Sequence, residues 1–318
     1  MVDCNYTLGN TGYGCTPFIQ AMKKLIAVPI FDSTGARNRI TLSSTLNQAY
    51  FDALINDTDG TQRWYPLPQM KDAESVRGEN IVEGFKDGSQ IFIQQGAKTV
   101  TAYVVEKDAP ARLLIALNSF RNIEFGIYGI DKDDNIIGMK LTAGYIDPIR
   151  VDAASWAPRF IESTDTTAQK IMLNFNWHPN MKDENLDMVK NSELDADVQA
   201  TISDLSGLLD VYAEVSGIST TGCTIELYSL YGTQNTPVRD TGRVTADFIS
   251  SVTATTSKVR NQTDSADITL TSATETATPG IYTLVWTPAQ TSADVLIPFL
   301  TKAGRDYTHV KEATITIP

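Results

Sequence analysis

Over the C-terminal third of the chain, apolar and polar residues alternate with period two. The segments Thr224-Ile225-Glu226-Leu227, Asp267-Ile268-Thr269-Leu270-Thr271 and Thr314-Ile315-Thr316-Ile317 all do so, as strands with one wet face require. Turn-forming clusters, Tyr231-Gly232-Thr233-Gln234-Asn235 and Thr278-Pro279-Gly280, separate them. Short strands so punctuated predict a β-sandwich. Composition shifts near Ser216: beyond it charges thin out and roughly one residue in five is Thr, which suits the wet face of a strand. Two domains are expected, 1–215 and 216–318.

The N-terminal pattern is more varied. A glycine-rich opening (Gly9, Gly12, Gly14) reads as an irregular arm. Ser44 is placed to cap a helix running to Asn56, with Leu46, Tyr50, Ala53 and Leu54 on one face. The turn signal Gly84-Phe-Lys-Asp-Gly88 precedes Ile91-Phe92-Ile93, and Thr99 to Val104 alternates again, so extended strands joined by glycine turns are expected here. Asp108 and Pro110 predict the start of a second short helix over Arg112 to Asn118. Strands are predicted at Ile123 to Ile130 and Ile136 to Leu141, joined by the polar turn Asp131 to Asn135, and at Ile171 to Trp177. Between Asp183 and Asp210, Leu194, Val198, Ile202 and Leu205 recur at helical spacing behind Ser192, predicting a linking helix, with a partly ordered loop as the alternative. The order fits a mainly β fold: an N-terminal antiparallel β-sandwich or barrel with one or two short helices, then the C-terminal sandwich.

With 318 residues, 42% of them hydrophobic, the chain has enough apolar material for two cores. No stretch approaches a membrane span: Leu25 to Phe31 is short and interrupted by Pro29. The Met1-Val-Asp-Cys-Asn start has no secretory pattern, so synthesis and first assembly in a cytoplasm are expected. Cys4, Cys15 and Cys223 read as free thiols, although Cys4 and Cys15 could pair. The net charge of −12 disfavours binding to phosphate backbones, yet it is compatible with a surface past which DNA slides.

Candidate chemistry is sparse. The only histidines are His178 and His309; the first reads as a polar residue at a strand end. Asp131, Asp133 and Asn135 mimic the start of a calcium loop, but Ile136 stands where that loop needs glycine and Thr142 where it needs glutamate, so a solvated turn is expected. The Gly9 to Gly14 run does not match a phosphate loop, no GxSxG elbow occurs, and no CxxC or HExxH pairing exists. Glu79 and Glu83 fit an acid/base pair and ordinary surface charges equally well. Trp64, Trp156, Trp177 and Trp286 are expected in cores, with a sugar platform as the alternative. No catalytic, cofactor-binding or metal-binding residue is nominated, and the chain is expected not to be an enzyme.

Several segments together resemble structural proteins of tailed bacteriophages, particularly those of Bacteroidetes hosts. They are Arg63-Trp-Tyr-Pro-Leu-Pro68, Glu79 to Gly96, Phe125 to Gly138, Ser155-Trp-Ala-Pro-Arg159 and Thr164 to Lys170. The strand–turn–strand pattern with an inserted helix is similar to tail tube proteins, and Pro279 to Val285 resembles a late strand of Ig-like modules. The resemblance implies a virion tail protein whose copies form rings stacked around a DNA-conducting lumen. Its partners would be itself and other tail proteins, with DNA passing unbound, no membrane insertion, and weak glycan contact through an outer Ig-like domain. A tail-hub or neck-ring component, and a fibre or head-decoration protein, are the alternatives.

Overall fold

The structure, a computed structural model, describes residues 20–105, 109–229, 238–249, 254 and 256–318. It is mainly β and divides into two compact units, Met1–Gly207 and Leu208–Pro318. The expected boundary at Ser216 falls inside a strand, Tyr212–Ser219, so the second unit starts ahead of the composition shift.

The first unit is a sandwich. One antiparallel sheet is built on Met22–Pro29 and Phe125–Asp131, which pair along their lengths, and is extended by Tyr65–Pro66, Ile136–Met139, Ile149–Arg150 and Leu186–Val189. The other has the order Arg159–Ile161, Lys170–Asn176, Lys98–Val105, Lys71–Arg77. Alternate residues of both meet in one core: Leu25, Ala27, Phe125 and Ile127 from the first, Val100, Ala102, Val104, Ile171, Leu173 and Phe175 from the second. Trp156 and Trp177 are buried there, and the Trp156 Nε1–H donates to the Leu117 carbonyl at 2.7 Å.

The first sheet is buried on its other face as well, which explains why Leu25 to Val28 and Phe125 to Ile130 are apolar without alternation. Ile26, Val28, Tyr128 and Ile130 belong to that face. Trp64 stacks on Tyr128 with ring centroids 4.9 Å apart, and Phe51 packs edge-on against Trp64. Phe51 and Ile55 are the buried residues of α1 (Gln48–Ile55), and its cap is Asn47, whose Oδ1 accepts the Tyr50 N–H at 2.9 Å. The expected cap at Ser44 and the expected Leu46–Tyr50–Ala53–Leu54 face are therefore corrected. An Asn beside the first helical residue outcompetes a more distant Ser, and the larger Phe51 sets which face turns inward. α2 (Leu113–Ser119) lies within one residue of expectation; Asp108, its expected cap, lies outside the described residues.

The linking helix expected over Leu194 to Leu205 does not form. That stretch runs as turns and 3-10 segments at Asn191–Glu193 and Ile202–Asp204, while all four apolar residues are buried. Asp, Ser and Thr within it favour local turns over continuous helix. Lys24 fastens it: the buried ammonium donates to the Ser203 carbonyl at 2.9 Å and to that of Leu205. Burial pulls this amine down to about 8 from 10.5, with Asp204 opposing and Lys23 adding to the shift. The native state thus holds fewer protons than the unfolded chain between those values, so stability from this group rises with pH across that window. Urea unfolding of the wild type should gain on Lys24→Met by on the order of 3 kcal/mol between pH 8 and 10.5; parallel pH dependences would refute this.

The second unit is an antiparallel sheet running Tyr212–Ser219, Gly222–Ser229, Ile281–Thr287, Ala266–Glu275, Lys258–Asn261, Val295–Pro298, Ile315–Thr316. Val238–Arg239 pairs beside it on Gly222–Ser229. The sheet curls until its first and last strands approach, nearly closing over Ile225, Leu227, Tyr282, Leu284, Trp286 and Leu296. The period-two alternation predicted from sequence appears directly in the burial of Gly222–Ser229 and Ile281–Thr287.

Candidate functional site

One feature departs from this economy of burial. Between Lys71–Arg77 and Lys98–Val105 the chain runs out as a two-stranded hairpin, Ile81–Gly84 paired with Gln90–Gln94, whose residues are exposed throughout. Its turn is closed by the Phe85 N–H on the Ser89 carbonyl (2.9 Å) and the Gly88 N–H on the Phe85 carbonyl (3.0 Å). Gly88, with φ +84°, supplies the left-handed residue. Asp87 accepts from both the Ser89 N–H and its hydroxyl, and those bonds hold its carboxyl below the usual range.

Cross-strand pairing fixes the faces. Val82 and Phe92 share one face and Glu83 and Ile91 the other, and Ile93 sits at a bulge in the pairing. Ile91, Phe92 and Ile93 are 57%, 56% and 56% exposed. Ile81, Val82, Phe85, Ile91, Phe92 and Ile93 are six of the fifteen large apolar side chains exposed among the described residues. Such crowding into one hairpin marks an interaction surface rather than ordinary surface scatter. A hairpin wet on both faces is marginal by itself.

The base of the hairpin is firmly held. The Gly78 N–H bonds the Ala97 carbonyl at 2.8 Å. The two chains cross there so closely that a Cβ on Gly96 would overlap the carbonyls of Gly78 and Glu79. Arg77 donates to the Gly96 carbonyl (3.1 Å) and to Asp183 Oδ2 (2.7 Å), while Lys98 donates to Asp183 Oδ1 (2.8 Å). Partial burial opposes ionisation of Asp183, but the bonds from Lys98 and Arg77 outweigh it and hold the carboxyl low. At the base lies a cavity of about 830 Å³, lined among others by Phe92, Gln94, His178, Asn180 and Met181.

Other residues singled out in the sequence take structural places. Asp131 Oδ1 accepts the N–H groups of Asp133 and Asn135, and Oδ2 accepts from the Asn135 side chain, so this carboxylate organises a hairpin turn. Among the described residues, no group of three or more His, Cys, Asp or Glu side chains is arranged to hold a metal ion. His178 accepts the Asn180 N–H at 3.2 Å on Nδ1; His309, in the other unit, stacks on Tyr212 at 4.4 Å and contacts Glu312. Trp64, Trp156, Trp177 and Trp286 are all buried, which removes them as a sugar platform. Burial pushes the Cys223 thiol up to about 12; Cys4, Cys15 and the glycine-rich opening lie outside the described residues. Glu79 and Glu83 are exposed on the hairpin. No helix among the described residues is long and apolar enough to cross a membrane.

The signal for the hairpin was present in the sequence. Ile81-Val82 and Ile91-Phe92-Ile93 are consecutive apolar residues, the pattern of a strand covered on both faces. No family model matches the chain, and no curated protein matches it.

Proposed function

We propose that this chain is a self-assembling structural protein of a tailed-phage virion, working as a tail tube subunit whose copies form rings stacked around a DNA-conducting lumen. The observation that carries the assembly reading is the hairpin Ile81–Gln94, apolar on both faces and exposed on both. Its sequence has the pattern of a doubly covered strand, as Leu25 to Val28 and Phe125 to Ile130 do. Those segments find their cover inside the unit; the hairpin finds none there. Other copies of the chain supply it.

Three further points support the tail assignment. The segments Arg63 to Pro68 and Phe125 to Gly138 resemble tail tube proteins. A sandwich with free sheet edges suits ring closure, since edge strands that pair with a neighbour are protected from disordered association. A chain of net charge −12 would let DNA pass a lumen without being retained. The second unit is then an outer module.

Negative-stain images of the concentrated protein should show rings or tubes. Truncation after Gly207 should leave them intact. Monomers or compact trimers at every concentration would overturn the reading in favour of a fibre or head-decoration protein. Loss of assembly on truncation, with both pieces folded, would overturn the division of labour.

A further inference from the structure

Resting on that self-assembly reading, we propose that the Phe85 tip of one copy's hairpin seats in the cavity at the base of the next copy's hairpin. The cavity is lined by Phe92 and Gln94 from the hairpin and by His178, Asn180 and Met181 from the chain after Lys170–Asn176. Its charges balance: Arg77 and Lys98 share Asp183, and Asp152, Lys182 and Glu184 complete a lining of three cations and three carboxylates. The lining thus offers no unpaired cationic floor for a small anion. It offers apolar surface, amides and a rim carrying one charge of each sign, Lys182 and Glu184, 3.5 Å apart.

The tip matches that description. Phe85 projects a ring that is 44% exposed, and the next two residues, Lys86 and Asp87, again carry one charge of each sign. A Lys86–Glu184 and Asp87–Lys182 pairing is thereby available across the contact. The turn is held by its own hydrogen bonds, so little conformational freedom is lost when it docks.

Geometry selects the occupant. Tip and cavity lie at opposite ends of one short hairpin, separated by strands of four and five residues, or roughly 13–17 Å at the rise of an extended chain. A hairpin cannot fold its own tip back to its own base, so a second copy must provide it. Used head to tail, the two different surfaces leave a tip and a cavity free at either end, whereas a reciprocal exchange of tips would close a dimer in place of the ladder expected below. Head-to-tail use gives stacking a direction.

The test uses full-length protein with Cys4→Ser and Cys15→Ser, leaving only the buried Cys223. Lys86→Cys, which keeps the Phe85 ring, and Asn180→Cys are prepared as separate proteins, mixed, and treated with a short bis-maleimide. The expected product is a covalent dimer of the two different chains, absent when either is treated alone. A chain bearing both substitutions should give a ladder of covalent multimers. Phe85→Ser should raise the concentration needed for stacking at least tenfold. Rings or tubes that form without the mixed cross-link, or with only Lys86→Cys coupling to itself, would overturn the tip-to-base contact while leaving self-assembly standing. A wild-type chain that never assembles would overturn both.

Discussion

Replacing Ile91 and Phe92 together by serine should abolish assembly while leaving the fold of each unit unchanged. The two side chains lie on opposite faces of the hairpin and are just over half exposed, so one double substitution strips an apolar group from each face. Full burial of such a side chain contributes about 1.5–3 kcal/mol, and only the exposed half is left for a neighbour to cover. The pair therefore supports each contact by roughly 1.5–3 kcal/mol, or about 10–100-fold in association constant. In a ring or tube the same contact recurs on every subunit, and the losses multiply around the assembly. In the isolated chain the same change removes little, because an exposed position contributes within about 0.5 kcal/mol. Sedimentation velocity should show monomer where the wild type is polymeric, with superimposable circular-dichroism melts. Assembly at wild-type concentrations would sink the hairpin as its driving element.

Much of the fold was legible because burial here follows simple periods. Gly222–Ser229 and Ile281–Thr287 alternate in sequence and in burial alike, and the strands around Asp131 to Asn135 fall where the polar turn requires. The failures have a common cause. Leu194, Val198, Ile202 and Leu205 keep helical spacing without a helix, because spacing records which residues face the core and not the path between them. The cover of the first sheet and the Lys24 bonds hold that path as turns. In α1 several apolar residues compete for the inward face, and packing against Trp64 chooses Phe51. The hairpin is the reverse case: its location was readable from Gly84 to Gly88, yet its exposure was not, since a doubly apolar strand looks the same whether its cover is its own chain or another.

The second large effect lies in the other unit, where Asp240→Ala should cost on the order of 3–5 kcal/mol. Asp240 is 2% exposed. Its Oδ1 accepts from Arg305 Nε at 3.1 Å and its Oδ2 from the Tyr307 hydroxyl at 2.7 Å, with Arg243 Nε 3.5 Å away. Tyr282 directs its hydroxyl at the Asp240 carbonyl (2.8 Å) and at Glu275 (3.2 Å), sharing one proton between them. Removing the carboxylate strands the Tyr307 hydroxyl and takes the counter-charge from Arg305 and Arg243, which keep only carbonyl acceptors at Gly304 and Thr241, so the cost exceeds that of a single hydrogen bond. Tyr307→Phe should cost less, about 1.5–3 kcal/mol, because Arg305 still satisfies the carboxylate. The two substitutions combined should cost measurably less than their sum, since Tyr307 acts largely through Asp240. Burial, then Asp240, raises the Tyr307 hydroxyl, and burial foremost pushes Tyr282 up to about 12. The native state therefore keeps protons that the unfolded chain releases near pH 10, and this unit loses stability as pH climbs through that value. In Asp240→Ala the alkaline loss should be shallower, because one of the two influences raising Tyr307 is gone. Urea unfolding followed at pH 7 and at pH 10.5 measures both effects, and strict additivity at pH 7 with an unchanged alkaline slope would show that the network does not act as a unit.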